Sequence, residues 1–469
     1  MGIGKPIATS KPGSISGDLV TSTTADLTLY VRSDGDDSND GLTESTALAT
    51  IQEAIDRVPS FIYHPVLIDV GQGTFDGFEV LYKNATPSNY FTIQGTLTTP
   101  TLTTGTTSGT VTGGDSYTIV DTNQSWTTDE LKGLLVEIDG ETRFIQGNTS
   151  TQLDLVGALS SDPVGKVYSI LKHGTIVSDT SKPFDGGIII VRNCGTYIEL
   201  KNLHIDMTQT PLAGVLPSYT NYVKLQTIKL TGEAIAPAWC GRISYRLFAY
   251  DIYSIANSTS GWSVEFAYTF AVDAKRIYVE NGSSFGFAAV QIESGIYTDI
   301  YGFNNGNGIY IGYHSYANFY GQVKAQNNTN DGLMIYATNY TNLDKGDFSN
   351  NNNYGIRIGK YARNDFVTGT TLNAGGTLTV SGNGKSGIFV TGKSLLGLAD
   401  CAGSDNGEFG IEATGNSTVI ISSGTSLTGG SGDITIDDGD STLSYSSDFA
   451  ADGDIVSNLT NGCRVERKD

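Results

Sequence analysis

The chain of 469 residues carries 49 Asp and Glu against 28 Lys and Arg, a formal charge of −21. That balance excludes binding nucleic acid through its phosphates, which needs Lys and Arg, and it keeps a sheet-rich surface soluble. No stretch approaches the roughly 18 apolar residues of a membrane span, so membrane insertion is not expected either.

Composition and cysteine use narrow the class further. Fifty-eight Gly and 25 Tyr against 3 Met suit a turn-rich all-β protein. Cys194, Cys240, Cys401 and Cys463 stand far apart without a C-x-x-C, and the His are scattered. Neither a disulfide framework, nor a metal site, nor a cofactor motif is indicated; isolated buried thiols are expected.

Residues 1–28 are rich in Ser, Thr, Gly and Lys and read as a flexible leader or attachment segment. Met1 to Ser10 lacks the apolar core of a signal peptide. Residues 29–103 read as a cap followed by first strands. Thr50 followed by Glu53 is a capping box, and Ile51, Ala54, Ile55 and Val58 share one helical face. A short helix with one apolar stripe must cover something, and the open end of a strand coil fits. Before it, Asp36-x-Ser38-x-Asp40-Gly41 matches the first half of an EF-hand loop, but position twelve is Ala47 rather than Glu. An Asx-rich turn is expected there. Val66 to Phe75 reads as a first rung with a tight turn.

Residues 104–171 change rhythm. Runs at Tyr117–Val120, Leu134–Ile138, Thr142–Ile145, Leu153–Leu155 and Val167–Leu171 alternate with turn signals, the pattern of a small inserted antiparallel β domain. Gly105 to Gly114 and Ser160 to Pro163 read as its flexible edges.

From 172 to 440 a repeat dominates. Gly308-Ile309-Tyr310-Ile311 recurs as Gly332-Leu333-Met334-Ile335, Gly355-Ile356-Arg357-Ile358, Gly387-Ile388-Phe389-Val390, Gly410-Ile411 and Gly432-Asp433-Ile434-Thr435-Ile436, at steps of 24, 23, 32, 23 and 22 residues. Such a period means stacked units that cannot bury an apolar face alone. Alternating aliphatics mark strands with one face inward. No helix-length amphipathic run intervenes, which leaves a parallel β-helix. Asn-rich turns precede the glycines, from Asn304 to Asn307, Asn327 to Asn330, Asn350 to Asn353, Asn383-Gly384 and Asn406-Gly407. They supply the left-handed backbone of a corner and can bond rung to rung. Further upstream two phases compete. Gly286-Phe287 falls in step with Gly308, while Tyr297–Gly302 aligns with Tyr316–Gly321 at a step of 19. Residues 441–469 read as a worn final rung and a short C-terminal extension.

Tyr30-Val31, then Asp34-Gly35-x-Asp37-Ser38-Asn39-Asp40-Gly41-Leu42-Thr43, then Ala49-Thr50-Ile51-Gln52-x-Ala54-Ile55, resembles the N-terminal start of pectate-lyase-like β-helix proteins, and most of all bacteriophage tailspikes and tail fibres. The insert is similar to a small β domain of such proteins through Gly109-Thr110-Val111-Thr112 and Asp121 with Ser125-Trp126. The resemblance implies a right-handed single-stranded parallel β-helix. It also implies a homotrimer on the virion tail, joined to the tail or baseplate through its N-terminus. It further implies recognition, and commonly depolymerisation, of a bacterial surface polysaccharide by a pair of carboxylates. The calcium-bound Asp cluster and Arg of true pectate lyases are not evident. A non-catalytic adhesin of the same fold and a secreted polysaccharide lyase or epimerase are the alternatives.

A glycan site needs aromatic faces for sugar rings and carboxylates for hydroxyls or catalysis. The segment 239–301 concentrates both: Trp239, Tyr245, Tyr250, Asp251, Tyr253, Trp262, Glu265, Tyr268, Asp273, Glu293 and Asp299. Glu265, Asp273 and Glu293 are the expected catalytic carboxyls, with Glu265 pointing outward after inward Val264. Trp239, Tyr250, Trp262 and Tyr268 are the expected sugar platforms. A second stripe, Tyr310, Tyr313, Tyr336, Tyr361 and Phe389, reads either as a sugar-stacking groove or as a face between subunits.

Overall fold

The computed structural model describes residues 22–86, 90–178, 187–195, 197–207, 213–232, 236–240, 244–256, 262–313, 315–337, 340–359, 371–421, 425–436, 441–446 and 464–468. The chain winds into a parallel β-solenoid. One side is a 12-stranded parallel sheet, called here the repeat sheet, running from Phe78–Leu81 to Gly432–Ile436. The remaining circumference is a 21-stranded sheet, the long sheet. Its strands bend midway. Asn202, Thr227, Asp251, Arg276, Asp299 and Gly321 sit on successive rungs with φ of 56, 54, 56, 58, 56 and 68°, so a left-handed corner divides each long strand. Inside runs one continuous apolar core. Ile309, Ile311, Leu333, Ile335, Ile356, Ile358, Ile388, Val390 and Ile411 are all buried in it, as the repeat requires.

The asparagines and glycines divide the labour differently from the sequence expectation. The left-handed residue of each corner is Asn304, Asn327, Asn350, Gly382 or Asp405. The next residue builds a buried ladder, Asn305, Asn328, Asn351, Asn383 and Asn406. Each of the first four donates its backbone N–H to the side-chain oxygen of the next, at 2.9, 3.0, 3.0 and 3.2 Å. Gly308, Gly332, Gly355, Gly387 and Gly410 are not left-handed. They are there because the ladder crosses them: a Cβ on Gly332 would lie 2.7 Å from Nδ2 of Asn351 and 2.6 Å from the carbonyl of Gly355. At the last rung the register corrects the sequence reading, since Gly432 pairs with Phe409 and Asp433 takes the glycine column. Among the described residues no further strand of the repeat sheet follows that rung, so its side chain is tolerated there. The competing step of 19 is also resolved. Tyr297 pairs with Phe319 and Tyr301 with Lys324, with a bulge between.

Helix α1, Ile51–Arg57, closes the N-terminal end, with Ile51, Ala54 and Ile55 buried against the first rungs. Its cap differs from a capping box. Thr50 Oγ1 accepts from the Glu53 N–H at 3.2 Å, but Glu53 turns to Arg57 at 3.1 Å instead of reaching back. The acidic loop supplies the missing acceptor. Asp37 Oδ1 accepts from the N–H groups of Ala49 and Thr50 at 2.9 and 3.0 Å, and its Oδ2 from the Thr50 hydroxyl at 2.9 Å. Asp36 and Asp40 accept from the N–H of Ser38 and of Leu42, the expected Asx turns. Thr50→Ala is therefore expected to cost about 1 kcal/mol, and Asp37→Ala about 2 kcal/mol, because it removes the charged acceptor of three hydrogen bonds at the helix start. Urea unfolding of both variants checks the order; a Thr50 effect larger than that of Asp37 contradicts it.

Among the described residues, antiparallel pairing is confined to a separate 8-stranded sheet between Leu97 and His173. The run from Gly105 to Gly114, read as a loose edge, contains strand Ser108–Thr110 paired with Val167–Ser169. Both faces of this unit are apolar. Val136, Ile138, Ile145 and Trp126 fill its own core. Leu135, Phe144 and Val156 face the coil, where Tyr253, Tyr278, Tyr301 and Phe303 receive them. Phe144 stacks on Tyr253 at 5.1 Å, and Tyr253 on Tyr278 at 4.6 Å. The unit is thus docked on the coil, and the coil resumes unbroken beneath it, Thr175 pairing with Gly73. Strands Thr442–Ser446 and Arg464–Lys468 continue the long sheet.

Candidate functional site

On the outer face of the long sheet two columns of side chains cross the rungs. One is Thr92, Glu199, Lys224, Phe248 and Asp273; the other is Gln94, Lys201, Gln226, Tyr250 and Lys275. Alternation puts both outward while Leu200, Leu225 and Ala249 fill the core. Lys224 pairs with Glu199 at 2.8 Å and Lys275 with Asp273 at 3.4 Å. Tyr250 donates its hydroxyl to Asp273 Oδ2 at 3.0 Å, and Lys275 lies 5.3 Å from the centre of its ring. Burial, then the Asp273 charge, pushes the Tyr250 phenol up, so it stays a donor.

An aromatic ladder borders these columns. Tyr90 meets Tyr197 edge-on at 5.3 Å, Tyr197 stacks on Tyr222 at 4.5 Å, and Tyr245 stacks on Phe270 at 5.0 Å. Tyr90, Tyr245 and Phe270 are exposed. Tyr90, Tyr197, Tyr222, Phe248, Tyr250 and Lys224 line a recess of about 220 Å³.

A second, polar recess of about 510 Å³ adjoins it beneath the inserted unit. Its coil wall is the bent corner, including Asn202, Thr227, Asp251 and Arg276, with Lys201 and Gln226 beside them. Its other wall is the hairpin Glu137 to Arg143. Arg276 holds Asp251 through two bonds of 2.6 and 2.9 Å, and Arg143 holds Glu141. Gln226 and Tyr250 are direct partners on neighbouring strands. The two recesses therefore form one groove, aromatic at one end and polar at the other.

The residues singled out in the sequence fall on different faces. Tyr250 and Asp273 come together in this groove. Asp251, Tyr253 and Asp299 lie buried under the insert, a covering that no local pattern signals. Glu265 points out of the repeat sheet, paired in register with Trp239 and Ala288. It is only 8% exposed, and burial alone pushes its carboxyl up to about 8. Glu293 and Tyr268 are exposed at the bends between the two sheets. Trp239 and Trp262 are placed by backbone register only, Trp262 opposite Phe285; their side chains and Tyr361 lie outside the described residues. Tyr310 packs on Phe285 at 4.6 Å and is nearly buried, while Tyr336 is half-buried beside it. Tyr90, Tyr197 and Tyr222 were missed. Tyr197, Tyr222 and Tyr245 are 25 and 23 residues apart, the coil's own step, and that spacing could have found them. Cys194 and Cys401 are buried free thiols.

No protein-family model matches the chain, and no curated protein sequence does. Among solved structures the chain is similar to XylC in complex with xylose, at 10% identity and a TM-score of 0.32 over 94% of this chain and 86% of that one. It is similar to the GH136 lacto-N-biosidase of Eubacterium ramulus, at 10% identity and 0.28 over 94% and 68%. It is also similar to the tailspike gp61 of Pseudomonas phage phi297, at 12% identity and 0.28 over 87% and 74%. Phage tailspikes and glycoside hydrolases thus stand among the solved structures that this parallel β-helix resembles.

Proposed function

We propose that the protein recognises a bacterial surface polysaccharide along the outer groove of its long sheet, as a phage tailspike-like receptor-binding protein. The observation that supports it is the exposed aromatic ladder running beside the paired Lys224–Glu199 and Lys275–Asp273 groups. Flat rings on successive rungs, about 4.8 Å apart, offer faces to successive sugars, and the flanking charges offer donors and acceptors to hydroxyls. In this reading the chain works as a homotrimer on the virion tail, held to the tail or baseplate through its N-terminal segment. The half-buried Phe285, Met334 and Tyr336, packed on the outside of the repeat sheet, suit contact between copies.

Cleavage is a second reading, favoured by Glu265. A carboxyl kept protonated near neutral pH by burial has the state a general acid needs. Glu293, at the bend beside that sheet, is the proposed partner carboxylate, and Trp239, Trp262, Tyr268, Tyr310 and Tyr336 the proposed platforms on that side. Asp273 faces the groove of the long sheet and would serve the polymer there.

A screen of the purified protein against capsular and wall polysaccharides tests both. Binding is expected to weaken at least about tenfold in Tyr222→Ala, roughly 1.4 kcal/mol. Released reducing ends or unsaturated uronates are expected with wild type and not with Glu265→Gln, whose binding stays. Binding without release from any glycan leaves the adhesin reading; no binding at all refutes recognition. Light scattering is expected at three times 49.7 kDa, and a monomer mass contradicts the trimer.

A further inference from the structure

The polar end of the groove has a composition that selects its ligand. Three carboxylates line it, Glu137, Glu141 and Asp251, and three cations, Lys201, Arg143 and Arg276. Most of that charge is already neutralised. Asp251 takes the Nε–Nη2 edge of Arg276. Arg143 gives its Nε and Nη2 to the carbonyl of Ala158 at 3.0 and 2.8 Å, and Nη2 also pairs with Glu141. With its Nη1 also bonded to the carbonyl of Thr142, Arg143 has no bidentate edge left for a sugar carboxylate, and the charge of Arg276 is already matched by Asp251.

What remains is a different set. The Lys201 ammonium, the Gln226 and Asn202 amides and the Glu137 carboxylate line the recess without a hydrogen bond or ion pair to any described residue. They comprise one cation, one anion and two groups that both donate and accept. Neighbouring donors and acceptors of that kind match vicinal hydroxyls, each of which also gives and takes one bond. An acidic sugar would gain Lys201 but meet Glu137, Glu141 and Asp251, in a chain of net charge −21. The volume, about 510 Å³, is that of a small-ligand site.

We infer that this cleft, between the inserted hairpin and the coil corner, is a binding site for an uncharged, hydroxyl-rich saccharide unit. The inference rests on the glycan-recognition reading and adds to it the substrate class and the role of the insert. The polymer lies across the aromatic ladder, and one neutral unit turns into the cleft under the hairpin tip at Asp139-Gly140. The insert is thereby the specificity element: changing its hairpin changes which sugar fits, while the ladder grips any chain.

The test uses the full chain and a panel of purified bacterial polysaccharides, neutral and uronate-containing, by calorimetry at low and high salt. Neutral polymers are expected to bind with affinity that changes less than about twofold with salt, since no net charge is neutralised. Gln226→Trp, which fills the cleft from an outward position, is expected to lose at least tenfold. Lys201→Met, which removes one donor without adding bulk, is expected to lose about three- to tenfold. Both should melt with wild type. If neutral polymers bind, Tyr222→Ala weakens them and both cleft variants bind as wild type, the cleft inference falls and glycan recognition stands. Binding confined to uronate polymers and abolished by salt also overturns the substrate class. If wild type binds no polymer of either kind, recognition falls and the inference with it.

Discussion

Gly355→Ala is expected to destabilise the coil by about 4 kcal/mol. The added Cβ would lie 2.7 Å from the carbonyl oxygens of Gly387 and Phe348 and 2.8 Å from Nδ2 of Asn383. Two of those neighbours are backbone, and the third is a rung of the buried asparagine ladder. Relief requires parting two rungs, which lengthens the bonds that Asn351 makes to Asn383 at 3.0 and 3.2 Å. Each buried amide left unsatisfied costs a further 1 to 3 kcal/mol or so. Gly375→Ala is the control, because a Cβ there meets nothing within 4 Å, and its effect should stay within about 0.5 kcal/mol. Denaturant unfolding of the two variants side by side decides; a Gly355 variant as stable as the control contradicts the glycine column.

The second large effect is a loss of stability in mild acid. His173 and His204 lie where the insert meets the coil, His173 stacked on Phe144 at 5.8 Å. Burial pushes His173 down to about 4, and burial with the nearby Lys229 charge pushes His204 down to about 3. Their ordinary value is 6.5. Between those limits the unfolded chain binds protons that the folded chain does not, so stability falls as pH drops below 6.5 and goes on falling until the folded groups titrate near 4 and 3. At roughly 1.4 kcal/mol per unit the two histidines together account for several kcal/mol. Glu265 acts in the opposite sense. Its raised value favours the folded state below its ordinary 4.5, and that contribution is lost as pH rises through about 8. Thermal melts from pH 7 to 4 should therefore drop steeply in wild type. His173→Gln with His204→Gln should flatten that limb, and an unchanged slope contradicts the buried-neutral assignment.

How much was legible follows from what each feature depends on. The repeat strands were legible because their cause is local: Ile-x-Ile alternation, a fixed step, and turn residues at each corner. The helix was legible from its stripe and from Thr50, but its cap was not, because the acceptor Asp37 lies thirteen residues upstream and works only once the loop has folded back. The docking of the insert was not legible either. Leu135 and Val136 look alike in sequence, yet one faces the coil and the other the insert's own core. That hidden face is why Tyr253 and Asp299 looked like surface residues. Local aromatic and acidic density singles out Tyr250 and Asp273, which adjoin in the groove. Tyr90 was not, since its ladder partner Tyr197 comes only after the whole insert has intervened.

Hydrogen–deuterium exchange of the full chain with and without a bound neutral polysaccharide tests the central claim, recognition along the groove of the long sheet, most directly. Strands Ile198–Met207, Tyr222–Gly232 and Ser244–Ala256 carry the ladder and both recesses. Protection by the ligand in these strands and in the hairpin Glu137 to Arg143 is the predicted result. Protection confined to the repeat sheet around Trp262–Ala267, with these strands unchanged, would contradict it.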